Sequence, residues 1–286
     1  MTQPSSSQII IFDTTMRDGE LALGVKMNIR QKLSLAKLLE AMQVDVIEVG
    51  YPGLYRKDFD EIFMVAKQVK QSIVCGLASS KPDEIACVAL AVKPAVRGRI
   101  HVYTPVHITP QSELNVAQTL EVIEDSIALA RNYCSDIEWS AFNATRCEPD
   151  FLCRAIEVAI KQGATTINIP DTLGSESPET FSALIAMIRN RVPNIDRAIV
   201  SVHCHDDRGL AVANSIAALE HGARQIECSI NGLGARQGNA SLNAIIAAVR
   251  QASRHLTPEP YQTNLNLSLL NAASEWVDEI VGMAVK

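Results

Sequence analysis

Apolar positions along the chain alternate between two spacings: short runs rich in β-branched residues, and longer stretches whose apolar residues recur every three to four positions. The first run, residues 9–13, predicts a strand, and residues 29–42, with Leu33, Leu35, Ala36, Leu38 and Leu39 on one face, predict a helix. The alternation then repeats. Strands are predicted at 44–50, 72–78, 99–103, 137–142, 165–169, 198–204 and 225–230. Helices are predicted at 58–69, 81–92, 116–133, 149–162, 178–192, 210–221 and 240–255. Pro82 stands at a first-turn position, where a proline costs the helix nothing. Strict alternation, with strands that read as apolar throughout, implies a parallel sheet. Eight strand–helix pairs in a chain of 286 residues favour closure into a (β/α)8 TIM barrel over an open sheet. The expected division is a catalytic barrel over 1–257 and, over 258–286, a linker at Pro258 and Pro260 followed by one more helix at 265–285. The leucines of that helix would pack on the barrel or on a partner subunit.

Composition narrows the function. Hydrophobic residues make up 47% and charged residues 20%, ordinary for a soluble chain with a large core. A net charge of −6 and the lack of a Lys/Arg stripe argue against nucleic acid, so an anionic substrate needs a local positive centre. No apolar run reaches the roughly 18–20 residues needed to span a bilayer. Residues 1–8 are polar and do not read as a signal peptide. The seven cysteines are odd in number and scattered, with no C-x-x-C, which predicts reduced thiols, mostly small buried residues, in a cytoplasmic protein.

In a barrel of this kind chemistry gathers where strands end and βα loops begin. Three polar clusters fall there. Asp13-Thr14-Thr15-Met16-Arg17-Asp18-Gly19-Glu20 follows the first strand and sets a cation beside an anion. His203-Cys204-His205-Asp206-Asp207 ends the seventh. Side chains alternate along a strand, so His203 and His205 point to one side and can share a metal, while Asp206 or Asp207 can cap the next helix. Asn231-Gly232-Leu233-Gly234-Ala235-Arg236-Gln237-Gly238-Asn239 follows the eighth, its glycines permitting close backbone approach; Asn239 also reads as a plain helix N-cap. One carboxylate and two imidazoles form a mixed site suited to Mg2+, Mn2+ or Zn2+. The same set describes non-haem Fe(II) oxygenases, which fits the barrel and the Arg17–Asp18 pair less well. A metal there would bind a 2-oxo carboxylate as a Lewis acid, with Arg17 stabilising charge on an enolate or alkoxide oxygen.

Five blocks in order resemble the DRE-TIM metallolyase (HMGL-like) family, nearest its 2-isopropylmalate and homocitrate synthase branch. They are FDTTMRDGE at 12–20, VDVIEVGYP at 44–52, GATTINIPDTLG at 163–174, VHCHDDRGLAVANS at 202–215 and NGLGARQGNASL at 231–242. The resemblance implies metal ligation by Asp18, His203 and His205, with Asn239 completing or supporting the shell. It implies catalytic roles for Arg17 and Thr172, and substrate contacts from Arg17, His101, Ser140, Asn143, Thr172 and Arg208. A 2-oxo acid, acetyl-CoA as co-substrate and a homodimer are the expected partners.

Four positions depart from the family pattern. Leu21 replaces a glutamine, Phe142 a glutamate at the end of the fifth strand, Ala235 a loop glutamate, and Arg208 a leucine. Phe142 would make its side of the pocket apolar, and Arg208 is either a second anion contact or a surface residue. The 286 residues are also expected to lack the helical subdomain by which the synthases lend a histidine and a tyrosine to a neighbouring site. Three functions fit: condensation of acetyl-CoA with a 2-oxo acid, carbon–carbon cleavage in the reverse sense, or a paralogue that binds metal and ligand without turnover. The loop lacks the cysteine that the hydroxymethylglutaryl-CoA lyases carry there.

Overall fold

A computed structural model describes residues 7–255 and 260–284. Eight parallel strands pair in chain order, and the eighth returns to the first to close a barrel. They are β1 (Ile10–Asp13), β2 (Val46–Gly50), β3 (Ile73–Ser79), β4 (Gly98–Pro105), β5 (Ile137–Phe142), β6 (Thr166–Asp171), β7 (Ile199–Cys204) and β8 (Gln225–Cys228). Eight helices ring the barrel: α1 (Ile29–Ala41), α2 (Lys57–Gln68), α3 (Pro82–Val92), α4 (Val116–Tyr133), α5 (Pro149–Gln162), α6 (Pro178–Arg191), α7 (Ala211–Glu220) and α8 (Leu242–His255). All sixteen predicted elements are present, so the expected (β/α)8 barrel is the fold.

Local chemistry sets the helix ends. Asn28 with Gln31, Asn115 with Gln118, and Ser177 with Thr180 form reciprocal capping boxes at α1, α4 and α6. Glu148 accepts from the amides of Asp150 and Phe151 before Pro149 opens α5, and Gly163, at φ 111°, closes it. Asp206 accepts from the Ala211 amide, which anchors the start of α7, one of the roles foreseen for it.

The outer faces of the strands bury Ile47, Val49, Val102, Ile167 and Val202 against the helices. The inner faces are different. A small apolar group of Phe12, Val46, Ile73 and Cys75 shares the interior with buried Glu48, Arg99, His101, Glu138, Gln225 and Glu227. Arg99 donates to Glu138 (2.7 Å) and Gln225 (2.9 Å), and Gln225 donates to Glu138 and Ser201. The interior is thus a hydrogen-bonded polar layer, not the wholly apolar filling the strand sequences suggest. A lone charge inside a short apolar run is satisfied only by partners on other strands.

Three strands, β3, β4 and β6, run slightly past prediction toward the loops, whereas β8 stops at Cys228, short of it. β4 extends to Pro105, and β6 continues through Pro170 to Asp171, because the barrel pairing carries on after the apolar pattern ends. A final helix, α9 (Leu270–Ala284), buries Ala273, Val277 and Ile280 and rests on α1 and the segment after β8. Asn231 fastens it by donating to the Ser274 carbonyl and to Asp278. It packs on this chain's own barrel. The predicted linker at Pro258 and most of the polar N-terminal stretch lie outside the described residues.

Candidate metal and substrate site

The turn after β1 is wound tightly by Thr14, whose carbonyl accepts from the amides of Arg17, Asp18 and Gly19. It turns Asp18 inward until only 3% of the residue is exposed. β7 delivers His203 and His205 to the same side, as alternation requires. Their ligand atoms and a carboxylate oxygen of Asp18 all lie within 4.8 Å of one another. The far ring nitrogens are occupied. His203 Nδ1 lies 2.5 Å from Glu227 Oε2, and His205 Nδ1 lies 3.3 Å from the Gly238 carbonyl. With both Nδ1 atoms donating, both Nε2 atoms keep their lone pairs, the arrangement metal-bound histidines use. Asn239 donates from Nδ2 to Asp18 (2.7 Å) and sets Oδ1 2.8 Å from His203 Nε2. That spacing matches neighbouring ligands on a small cation, which stand about 3 Å apart for bonds near 2.1 Å. Asn239 is therefore no helix cap; α8 starts three positions later, at Leu242.

Electrostatics prepares the same atoms. Burial pushes both histidines down, His205 to about 4, so both are neutral at neutral pH. Burial opposes ionisation of Asp18, but Arg17 and the two imidazoles overcome it and hold the carboxyl well below the usual range. A carboxylate, two neutral imidazoles and an amide oxygen converging at one point fit a divalent cation.

The loop after β8 leaves no slack. A Cβ on Gly234 would fall 2.3 Å from Asn239 Nδ2 and 2.9 Å from Asp18 Oδ2. Gly234→Ala is therefore expected to weaken divalent-metal binding by roughly ten- to a hundredfold, the scale of damage to groups that orient metal ligands, with little change in far-UV circular dichroism. Calorimetric metal titration checks it; wild-type affinity would show that the loop yields freely.

Behind the metal ligands runs a second network. Glu48 on β2 accepts from Thr14 Oγ1 (2.7 Å) and Arg17 Nε (2.6 Å), and lies 2.9 Å from His101 Nδ1. His101 Nε2 lies 2.7 Å from Ser140, which also accepts from Asn168. Arg17 reaches Asp18 with Nη1 (2.7 Å), so its fork bridges the two networks. Burial of Glu48 is outweighed by Arg17 and His101, which hold its carboxyl below the usual carboxylate range. Burial of His101 is likewise outweighed by Glu48, which raises the imidazole.

Both networks open into one cavity of about 440 Å³ at the loop end of the barrel. Arg17, Asp18, His101, Ser140, Thr172, His203 and His205 line it, so most of the predicted site residues are brought together. Asn143, Arg208 and Asn239 do not line it; Asn239 is buried against Asp18 and His203. Asn143 sits in a left-handed turn after β5 with its amide bonded to Thr172 Oγ1. Arg208 is exposed and donates to the Ser175 carbonyl, the surface role of the two foreseen. The other three departures do reach the cavity: Leu21, Phe142 and Ala235 all line it. Phe142 stands with its ring centroid 5.8 Å from that of Tyr103, making this wall apolar.

Sequence reasoning passed over Glu48, Glu227, Tyr51, Tyr103, Asn168 and Arg236, all of which line the cavity or position its ligands. For the two glutamates the only mark was a lone acid within a strand, in VIEVG and QIEC, and the strand by itself names no partner for it. Arg236 stood in the loop cluster after the eighth strand without a role, because its φ of 57° and its bond to the Thr172 carbonyl emerge only in three dimensions.

Residues 8–277 match the model of the HMGL-like family. The chain belongs to that family. Its relatives include 2-isopropylmalate synthases of Rhodopseudomonas palustris strain HaA2, 47% identical over 290 residues, and of Caulobacter vibrioides, 47% over 281. These alignments cover 100% and 97% of this chain but 55% and 53% of the relatives, so the chain spans about half their length. Among solved structures, the hydroxymethylglutaryl-CoA lyase of Brucella melitensis superposes with a TM-score of 0.78 at 18% identity, over 96% of this chain and 99% of that one. The carboxyl transferase domain of Rhizobium etli pyruvate carboxylase gives 0.76 at 16%, over 97% and 48%. At such identities the HMGL-like chain shares their fold. Among its described residues no helix is long and apolar enough to cross a membrane, and all seven cysteines are free thiols.

Proposed function

We propose that the chain is a metal-dependent acyltransferase that condenses acetyl-CoA with a 2-oxo acid to an alkylmalate-type product, acting as a cytoplasmic homodimer. The observation that carries this reading is the convergence of Asp18, His203 and His205 on one point, with Arg17 beside it in the same cavity. The names of its half-spanned relatives point the same way.

Asp18, His203, His205 and Asn239 would hold Mn2+, Mg2+ or Zn2+, which when bound supplies Lewis-acid polarisation of the substrate's oxygens. Everything else falls to the protein. Arg17, fixed by Glu48 and Asp18, faces charge that develops on the keto oxygen as the new carbon–carbon bond forms. Thr172 and Ser140 offer hydroxyl groups to orient the 2-oxo acid, and His101, with one ring nitrogen on Glu48 and the other on Ser140, holds Ser140 in place. Phe142, Tyr103 and Leu77 form a water-poor wall on which its side chain can lie.

The ligands' protonation yields a pH prediction. Metal binding competes with protons only once the ligands begin to protonate. With His205 lowered to about 4 and Asp18 and His203 also lowered, affinity should fall less between pH 7 and 5 than ordinary imidazoles would allow, with the steeper loss at lower pH. Ordinary imidazoles, near 6.5, would already lose affinity across that window. Metal titrations at stepped pH distinguish the two shapes.

The functional test is release of free thiol from acetyl-CoA across a panel of 2-oxo acids, with the metal-loaded protein. Release with one acceptor class supports condensation. Formation of acetyl-CoA or pyruvate from 2-hydroxy acids, without thiol release, marks the cleavage direction. Ligand-induced thermal stabilisation without either reaction marks a binding protein.

A further inference from the structure

Two phenols and a carboxylate form a short chain at the edge of the cavity. Tyr51 follows β2, Tyr103 lies on β4 and Glu84 lies in the first turn of α3. The Tyr51 hydroxyl lies 2.8 Å from Glu84 Oε2 and 3.1 Å from the Tyr103 hydroxyl. The rings of Tyr51 and Tyr103 meet edge to face. Both rings line the cavity that holds Arg17 and the metal ligands, and both also line a second cavity of about 570 Å³ bounded by Ser80, His107 and Ser112. They therefore stand as a wall between two spaces at the barrel mouth.

The direction of this chain is fixed by donor counting. Burial of Glu84 is outweighed by hydrogen bonds from Ser79 and Tyr51, so its carboxyl is held low and is ionised at neutral pH. An ionised carboxylate only accepts, so Tyr51 donates to it. Tyr51 has then spent its one proton, and Tyr103 must donate to Tyr51. Tyr103 is left with lone pairs alone to present to a ligand. The carboxylate end is also held in place: it accepts from the Ser79 amide (2.9 Å), and a Cβ on Gly53 would fall 2.5 Å from Glu84 Cδ. A side chain at 53 would have to displace the Glu84 carboxylate from this position.

We propose that Tyr103, Tyr51 and Glu84 form a proton relay whose cavity end is the base that removes a proton from the methyl group of an acyl thioester. This rests on the acyl-transfer reading above. In the step, the methyl C–H proton passes to Tyr103 Oη, the proton of Tyr103 passes to Tyr51 Oη, and the proton of Tyr51 passes to Glu84 Oε2. The C–H bond's electron pair moves into the thioester to give its enolate. The carbon acid loses one proton, the carboxylate gains one, and the negative charge moves from Glu84 to the enolate oxygen. Tyr103 is the catalytic residue; Tyr51 and Glu84 act through it.

The test uses the metal-loaded protein with acetyl-CoA, its trideuterated-acetyl form and the best 2-oxo acid. Tyr103→Phe keeps the ring and removes the relay's end. Glu84→Gln replaces an acceptor with a group that can donate to Tyr51 and so reverses the chain. Both are expected to lower kcat by at least about a hundredfold, the usual share of a positioned base. KM for the 2-oxo acid should stay near wild type, the melting temperature should hold, and the deuterium isotope effect on thiol release should rise. A merely structural role would not raise the isotope effect. Wild-type turnover with an unchanged kcat and isotope effect in both variants overturns the relay and leaves acyl transfer standing. If the wild type neither releases thiol nor exchanges methyl deuterium with solvent for any 2-oxo acid, acyl transfer and the relay fall together.

Discussion

His203→Ala is expected to lower affinity for a divalent metal by more than about a hundredfold, with most of the metal lost on dialysis. The magnitude follows from how much depends on that one ring. Its Nε2 faces Asp18 and Asn239, while its Nδ1 is held by a Glu227 buried at 0% exposure. Truncation removes a ligand and also deprives Glu227 of its partner inside the barrel. Burial and the nearby Glu48 carboxylate already push Glu227 up, so losing its imidazole partner leaves a buried carboxyl that favours its neutral form and no longer organises the site. A graded companion separates the two effects. Glu227→Gln keeps the ligand and the volume but weakens the grip on Nδ1, and should cost only about ten- to a hundredfold. Metal analysis after dialysis and calorimetric titration measure both. If His203→Ala protein keeps the wild-type metal content, Asp18, His203 and His205 do not form the metal site.

The contrast between His203 and Glu227 also shows what a sequence discloses. The pair His203 and His205 was legible because strand alternation alone places both on one side, and because a polar pair at a strand's end breaks the apolar pattern. The barrel was legible for a related reason: alternation of two periods is a local property, repeated eight times. Glu227 and Glu48 were hidden because each looks like an isolated acid in an apolar strand, and the partners that make them intelligible lie elsewhere in the chain. His101 is 53 residues from Glu48, and Asn239 is 221 residues from Asp18. Arg208 marks the limit of local spacing. Its place beside a histidine cluster left the mouth and the surface both open, and only the folded loop shows it exposed and donating to the Ser175 carbonyl. Local spacing fixes which side of a strand a residue faces; it does not fix where a loop residue points.

Arg17→Ala should separate chemistry from metal binding. All four metal-facing groups stay in place, so metal content should remain near wild type. The value of kcat/KM for the acyl-transfer reaction should fall by about a hundred- to a thousandfold, the scale on which a single positioned charge or donor stabilises developing negative charge. Stability should fall as well. Arg17 joins Glu48 (2.6 Å) to Asp18 (2.7 Å), and removing it leaves two buried carboxylates without the cation between them. Breaking such a pair from one side costs on the order of 3 kcal/mol, readable as a lower urea midpoint of the metal-free protein. Added metal should recover part of the loss, because it restores positive charge beside Asp18 but leaves Glu48 uncompensated. Arg17→Lys should not rescue turnover. The guanidinium spends Nε on one carboxylate and Nη1 on the other, and a single ammonium cannot reproduce that fork. An Arg17→Ala protein with normal metal content and undiminished kcat/KM would remove Arg17 from the chemistry, and with it the view that charge on the keto oxygen is met by this side chain.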